Sequence, residues 1–175
     1  TWISNVNYIL AEEETMSGSE TEKNYVLGQA YAVRAYSYFM LAQMFSRTYK
    51  GHESEPCVPL YTEPTDIATE GKGRATVEEV YQQITSDLDK AITMLGNSGK
   101  RKHISHINEA VASGIKARVA LVMEDWQTAL DAANAAISKS GCSIGTGTAV
   151  TGGMNDATAN NVMWAAEIIA DQSGM

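Results

Sequence analysis

The residues of this chain that could do acid–base chemistry gather in a stretch without helical periodicity, residues 48–75. Its acids are Glu53, Glu55, Glu63, Asp66 and Glu70. Two carboxylates at a fixed separation can hydrolyse a glycosidic bond. Three prolines break any helix in this stretch, so nothing in it fixes such a separation. We therefore predict a long, solvated acidic loop and a protein that is not an enzyme.

Sugar binding is the second chemistry that this loop could support. Aromatic rings stack on the apolar face of a sugar, while amides and carboxylates reach its hydroxyl groups. Tyr49 and Tyr61 are the aromatic residues of the loop, and they are our candidate ligand-binding residues. Loop tyrosines also anchor loops onto helices, and that alternative stays open for both residues.

Metal and cofactor chemistry have weak support in the sequence. His103 and His106 have the i, i+3 spacing of two metal ligands, but no cysteine or well-placed carboxylate accompanies them. Cys57 and Cys142 are far apart and do not form a CxxC motif. The chain also lacks a nucleophile elbow, a phosphate loop and a dinucleotide fingerprint. We predict neither a metal site nor a cofactor.

The charge of the chain argues against a nucleic-acid partner. The formal net charge is -8 and the isoelectric point is about 4.8. The basic residues are few and scattered, and Lys100-Arg101-Lys102 is the one short cluster. With 175 residues and 44% apolar content, the chain can build the core of a single domain over residues 1–175.

A helix at about residues 21–47 is the element around which the others are arranged. Between Lys23 and Arg47 its only charged residue is Arg34, and small or apolar residues occupy every face. Such a pattern is typical of a buried helix. A membrane span is excluded because an arginine at the centre of the segment is costly in lipid. We predict that Arg34 is buried and paired, and that Phe39 and Phe45 lie in the core.

Four more helices are predicted on either side, at about 2–14, 76–95, 108–124 and 126–139. A capping box, Thr76-Val-Glu-Glu79, begins the third helix, and its apolar stripe includes Tyr81. The fourth helix is again apolar on most faces. The fifth has the stripe Trp126, Ala129, Leu130, Ala133, Ala136 and Ile137. A short strand within residues 162–169 is possible on composition.

Helices that are alternately buried all round and apolar on one side are what an array of helical hairpins requires, because each hairpin covers its neighbour. The predicted fold is therefore mostly α, a tetratricopeptide-like helical hairpin array with one long loop and a short C-terminal strand.

Four stretches of sequence, in this order, carry a family resemblance. The first is Arg34-Ala-Tyr-Ser-Tyr38-Phe-Met-Leu41 followed by Phe45 and the loop that reaches Val58-Pro59-Leu60, and the second is Arg74-Ala-Thr76-Val-Glu-Glu-Val-Tyr81 with Ile84 and Asp87-Leu88. The third is Ala117-Arg118-Val119-Ala-Leu121 leading to Asp125-Trp126 and Ala129, and the fourth is 161–169. Together they resemble the SusD/RagB family of outer-membrane nutrient-binding lipoproteins. Arg34, Phe39, Thr76, Tyr81, Arg118 and Trp126 are then structural signature residues, and we expect Arg118, like Arg34, to be buried and paired.

The resemblance implies a cell-surface lipoprotein of the outer membrane, a SusC-like TonB-dependent transporter as partner, and an oligosaccharide or peptide ligand. Relative to the family pattern, the chain is expected to lack the anchor region and most of the later, more variable half. We therefore expect this segment to supply scaffold and docking surface rather than ligand selection. A generic helical-repeat scaffold that binds another protein is the alternative interpretation.

Overall fold

The computed structural model describes residues 2–153 and 156–166. These residues form six helices: α1 (Trp2–Ala11), α2 (Glu20–Phe45), α3 (Val77–Gly96), α4 (Glu109–Val122), α5 (Trp126–Ser140) and the short α6 (Gly147–Thr151). From α1 to α5, each helix packs on the next one along the chain. The predicted fold, mostly α and arranged as a helical hairpin array, is confirmed.

Two expectations about the elements need correction. Helix α1 ends at Ala11 rather than at residue 14, because residues 12–15 turn with backbone hydrogen bonds of the i to i+3 type. Residues 162–166 do not form the expected strand, and 167–169 lie outside the described residues. Within the described ranges, β pairing is limited to one antiparallel bridge between Pro56 and Thr76.

The centre of α2 is buried because α1 and α3 cover it with closely packed side chains. Ala32, Ala35 and Ala42 are completely buried, and the small residues on this side let α3 approach. The approach is closest at Gly28, where an added Cβ would lie 2.8 Å from Leu95 Cγ. Phe39 packs edge-on against Tyr81 at a centroid distance of 6.3 Å.

The prediction that α2 is buried along its whole length is wrong at its ends. Val26, Met44 and Phe45 are exposed, and Phe45 keeps 58% of its surface. The buried residues of this 26-residue helix lie between Leu27 and Ala42, so burial stops before its last turn. None of the described helices has both the length and the apolar character that a membrane crossing requires.

Helix α3 begins with the predicted capping box. The Thr76 hydroxyl accepts a hydrogen bond from the Glu79 backbone amide at 3.2 Å, and the Glu79 carboxylate accepts one from the Thr76 amide at 2.7 Å. The hydrogen bonds from the backbone and the side chain of Thr76 lower the pKa of Glu79. Both orphan backbone donors at this helix end are thereby satisfied.

Replacing Thr76 with alanine is expected to destabilise the protein by about 1 kcal/mol at neutral pH, because one of these donors loses its acceptor. The pKa of Glu79 is lower in the folded state, so the contribution of its carboxylate is complete above the unfolded-state pKa and is lost as the pH falls through the folded-state pKa. Urea denaturation at pH 7 and at pH 3 measures both effects. Thr76→Ser is the control and should stay close to the wild type, and an equal loss in the two variants would contradict the capping role.

Candidate functional site

A groove of about 790 Å³ lies between α1, the C-terminal half of α2 and the long loop. Its volume is in the range of small-molecule binding sites. Its apolar wall is formed by Ile3, Leu41, Phe45, Val58 and Pro59. Tyr61, Asp66 and Arg74 are among its polar lining residues. This mixture of an apolar wall and a polar edge suits a ligand that has both apolar faces and hydroxyl groups.

A buried ion pair lies beside the groove. The Arg34 guanidinium donates to both oxygens of Asp87, at 2.7 Å from Nε and 2.8 Å from Nη2. Burial alone lowers the pKa of Arg34, but the hydrogen bonds and charge of Asp87 raise it overall. Nη1 donates to Asn7 Oδ1 at 2.9 Å and to the Thr62 carbonyl at 3.1 Å. Arg34 thus joins α1, α2, α3 and the loop.

The loop backbone next to this ion pair is fixed by two side chains of the helices. Asn7 Nδ2 donates to the carbonyls of Tyr61 and Glu63, each at 3.0 Å. The Tyr38 hydroxyl donates to the Tyr61 carbonyl at 2.8 Å and accepts from the Tyr61 amide at 2.7 Å. The sequence predicts a solvated loop that nothing fixes in place, and this prediction is wrong for residues 61–63, whose backbone is hydrogen-bonded to the helices.

The two ends of the loop are held together by Arg74. Its guanidinium donates to the carbonyls of Phe45, Pro56 and Cys57, at 3.0, 3.0 and 2.5 Å. The backbone of Cys57 also donates to the Ala75 carbonyl at 2.7 Å. Because the guanidinium of Arg74 donates hydrogen bonds to these three carbonyl groups, the main role of Arg74 is to close the loop.

The structure separates the two tyrosines that were predicted to bind a ligand. Tyr61 lines the groove, its hydroxyl accepts from the Lys72 amide at 2.8 Å, and the Lys72 ammonium lies 5.4 Å from its ring centroid. Tyr49 is half-buried outside the groove lining and packs edge-on against Tyr81 at 5.1 Å. Tyr61 therefore belongs to the groove lining, and Tyr49 packs against the core.

Phe45 lines the groove although the sequence did not indicate it as a candidate site residue. Helical periodicity placed it in the core, but the groove exposes its ring. The signal that could have found it is its position in the last turn of α2, directly before the loop. Phe45 and Tyr61 are two of the three aromatic residues that line the groove, and the third, Tyr38, is buried.

The described residues that line the groove do not include the carboxylate pair that a glycosidase uses. Asp66 is the one carboxylate among the described residues that line it. That carboxylate accepts from the Thr69 hydroxyl at 2.9 Å and the Ala68 amide at 3.0 Å, and these bonds lower the pKa of Asp66. A single ionised carboxylate can accept a hydrogen bond from a sugar hydroxyl, whereas most glycosidases use two carboxyl groups on either side of the scissile bond.

The two histidines suggested as metal ligands are engaged with neighbouring side chains. Nδ1 of His106 lies 2.5 Å from the Tyr25 hydroxyl, and Nδ1 of His103 lies 2.8 Å from the Ser105 hydroxyl. Across residues 2–153 and 156–166, no three His, Cys, Asp or Glu side chains come together as metal ligands do.

Two signature residues lie where the sequence did not place them. Arg118 is exposed rather than buried and paired, because it shares with Leu121 a face of α4 that no described helix covers. Trp126 is 62% exposed, since the face of α5 that packs on α4 is formed by Ala129, Ala132 and Ala136. By contrast, Tyr81 is buried in the core.

The comparisons with solved structures agree with this architecture. A SusD-like carbohydrate-binding protein from Bacteroides vulgatus is 28% identical, with a TM-score of 0.89 over 97% of this chain and 36% of its own. A SusD superfamily protein from Bacteroides thetaiotaomicron is 24% identical, with a TM-score of 0.85 over 98% of this chain and 38% of its own. A laminarin-binding SusD-like protein, 24% identical, superposes with a TM-score of 0.60 over 79% of this chain and 28% of its own.

The chain thus spans little more than a third of the length of the Bacteroides vulgatus and Bacteroides thetaiotaomicron relatives. None of the curated proteins is a match. A family model described as starch-binding and associating with the outer membrane matches residues 1–121, which include α1 to α3 and all but the last residue of α4. This chain therefore belongs to the SusD-like family.

Proposed function

We propose that the full-length protein is a glycan-binding, non-enzymatic component of an outer-membrane nutrient-uptake system. The family description and the carbohydrate-binding relative from Bacteroides vulgatus support the ligand class. One further relative is described as binding laminarin, and laminarin is also a glycan. By the same family likeness, we propose a surface lipid anchor and a SusC-like TonB-dependent transporter as partner.

Within that protein, we propose that this chain supplies the helical scaffold, docking surface for the transporter and one wall of the glycan site. The observation that carries this proposal is that the exposed Phe45 and Tyr61 line one groove, whose loop is fixed by Asn7 and Tyr38. Aromatic rings hold a sugar well only when rigid neighbours keep them in place. The remaining contacts come from parts of the protein beyond this chain, and Tyr49 anchors the loop.

Calorimetry on the full-length protein with a panel of oligosaccharides tests this proposal. Phe45→Ala and Tyr61→Ala are each expected to weaken the affinity roughly tenfold, as the loss of one ring contact does. Met44→Ala is the matched control, because Met44 is an exposed neighbour of Phe45 that does not line the groove. Its affinity should equal that of the wild type. Absence of binding to any glycan refutes the function, and unchanged affinity in both aromatic variants refutes the site.

The 175-residue chain alone is expected to bind the same glycans weakly or not at all, since it supplies one wall. Micromolar binding by this chain, abolished by Tyr61→Ala, would show that the whole site lies here. The transporter partnership is tested separately by affinity purification of the full-length protein from outer membranes. A TonB-dependent transporter should co-purify, and its absence contradicts the partnership without affecting the glycan result.

A further inference from the structure

We propose that Lys72 is a positioning residue for glycan binding, which holds the hydroxyl of Tyr61 and covers one face of its ring. The opposite face is then the surface on which a sugar stacks. The inference rests on the proposed function, because it concerns a ring that we assign to the glycan site. Lys72 itself is not among the described residues that line the groove.

Lys72 makes three contacts around the side chain of Tyr61. Its backbone amide donates to the Tyr61 hydroxyl at 2.8 Å. Its ammonium lies 5.4 Å from the centroid of the ring, within the range of a cation–π interaction. The same ammonium donates to the carbonyl of Leu60, the residue before Tyr61, at 3.3 Å. One lysine therefore contacts the hydroxyl, the ring and the adjoining backbone, and together these contacts restrict rotation of the side chain.

The lining residues indicate that the ammonium and the groove lie on different sides of the ring. Tyr61 lines the groove, whereas Lys72 and Leu60 line a separate hollow together with Glu79. An ammonium over one face of a ring excludes a sugar from that face. The face that remains for stacking is the one toward the groove.

The surroundings of the loop explain why a side chain is needed to hold the ring. Tyr38 fixes the amide and the carbonyl of Tyr61, but these bonds leave the side chain of Tyr61 free to rotate. Lys72 lies between Gly71 and Gly73. Apart from the chain neighbours, no described atom lies within 4 Å of a Cβ added at either glycine. Packing therefore does not hold this part of the loop, and the contacts of Lys72 tie it to residues 60–61.

The hydrogen bond from the Lys72 amide also determines what the hydroxyl of Tyr61 offers to a ligand. A phenolic hydroxyl has one proton to donate, and its oxygen accepts as well. Because the Lys72 amide uses the oxygen as its acceptor, the proton can be donated to an oxygen of the ligand. The ring therefore suits a sugar that stacks its apolar face on Tyr61 and places a ring or hydroxyl oxygen at its edge.

Calorimetry on the full-length protein with maltohexaose and laminarihexaose tests the role of Lys72. Lys72→Met keeps the backbone amide and removes the charge, and it should weaken binding roughly fivefold, as the loss of an exposed cation–π contact does. Lys72→Arg keeps the charge and should stay within about twofold of the wild type. Lys50→Met is the matched control, because Lys50 is an exposed lysine of the same loop that does not line the groove. Its affinity should equal that of the wild type.

A double-mutant cycle shows whether Lys72 acts through Tyr61. In a Tyr61→Ala background, Lys72→Met should change the affinity by less than about twofold, because the ring that it positions is absent. An equal loss in both backgrounds overturns the proposal, since Lys72 would then act on the sugar directly. Unchanged affinity in Lys72→Met, with weaker binding in Phe45→Ala, also overturns it and leaves the proposed function intact.

The ring can also be observed without a ligand. In full-length protein that carries isotope-labelled tyrosine, the ring resonances of Tyr61 are assigned with Tyr61→Phe. They are expected to shift and sharpen in Lys72→Met, because a mobile ring averages its surroundings, and to stay unchanged in Lys50→Met. Failure to bind either oligosaccharide contradicts the proposed function for these glycans, and the ring resonances then decide on Lys72 alone. Identical Tyr61 resonances in the wild type and Lys72→Met overturn the positioning role.

Discussion

Replacement of Arg34 by methionine is expected to destabilise the protein by about 3–5 kcal/mol, the usual cost of removing one member of a buried ion pair. The side chains of Arg34 and Asp87 are both almost fully buried, so the substitution leaves the carboxylate of Asp87 without its cation. Asn7 and the Thr62 carbonyl lose a donor at the same time. Urea denaturation followed by circular dichroism measures the loss.

Lys116→Met is the matched control, because Lys116 forms an ion pair with Asp89 at the surface. That variant is expected to lose less than about 1 kcal/mol, as exposed ion pairs contribute little. Adding Asp87→Leu to Arg34→Met should recover part of the stability, because the unpaired charge is removed. Equal losses in Arg34→Met and Lys116→Met would show that the buried position of the ion pair has no special effect.

Phe39→Ala is expected to cost about 3–5 kcal/mol, since it leaves a cavity in a core that cannot collapse to fill it. Phe39 is 1% exposed and touches Tyr81, whose pKa burial raises to about 12. The chain offers a matched control, because its other phenylalanine, Phe45, is exposed. Phe45→Ala should change the free energy of unfolding by less than about 1 kcal/mol. Denaturation midpoints that fall equally in both variants would mean that the core is not centred where the structure places it.

These two predictions concern residues that the sequence already indicates. An arginine alone in a long apolar segment has to be either paired or exposed, and the small residues around Phe39 predict close helix packing. Neither inference identifies the residue that contacts Arg34 or Phe39 from another helix. Asp87 lies 53 positions from Arg34. Its spacing from Val80 and Ile84 places it on the apolar stripe of α3, unlike Asp89, but the spacing does not show which residue of another helix faces it. Periodicity describes one helix at a time, so contacts between helices lie beyond it.

Helix α5 also shows that periodicity describes only one helix at a time. Its periodic stripe predicts correctly that Ala129 and Ala136 are buried, but it includes Trp126 and Leu130, which are exposed. An apolar arc indicates that a neighbouring element covers part of the helix, but it does not identify that element or the part that it covers. The sequence therefore predicts the helix and its apolar arc, while the choice of the buried part depends on where α4 lies.

The sequence indicates one aromatic residue of the candidate groove, Tyr61, but it does not indicate the shape of the groove. Tyr61 was found because an aromatic residue in a loop is conspicuous, whereas Phe45 was hidden by a helical pattern that continues to the end of α2. Asn7 gave no signal, since a single asparagine in an amphipathic helix usually faces water. It is buried here because both ends of its amide have partners, in Arg34 and in the loop backbone.

The partners of Arg34 also set the order in which the chain can fold during synthesis. Its guanidinium needs Asn7, the Thr62 carbonyl and Asp87, which come from three separate segments. When α2 leaves the ribosome, two of these partners, Thr62 and Asp87, have not yet emerged. In a nascent chain that ended before residue 87, the guanidinium would lack the carboxylate that pairs with it in the folded protein. We therefore expect stable closure of these helices to wait for α3, and the first three helices and the loop between them to unfold as one cooperative unit.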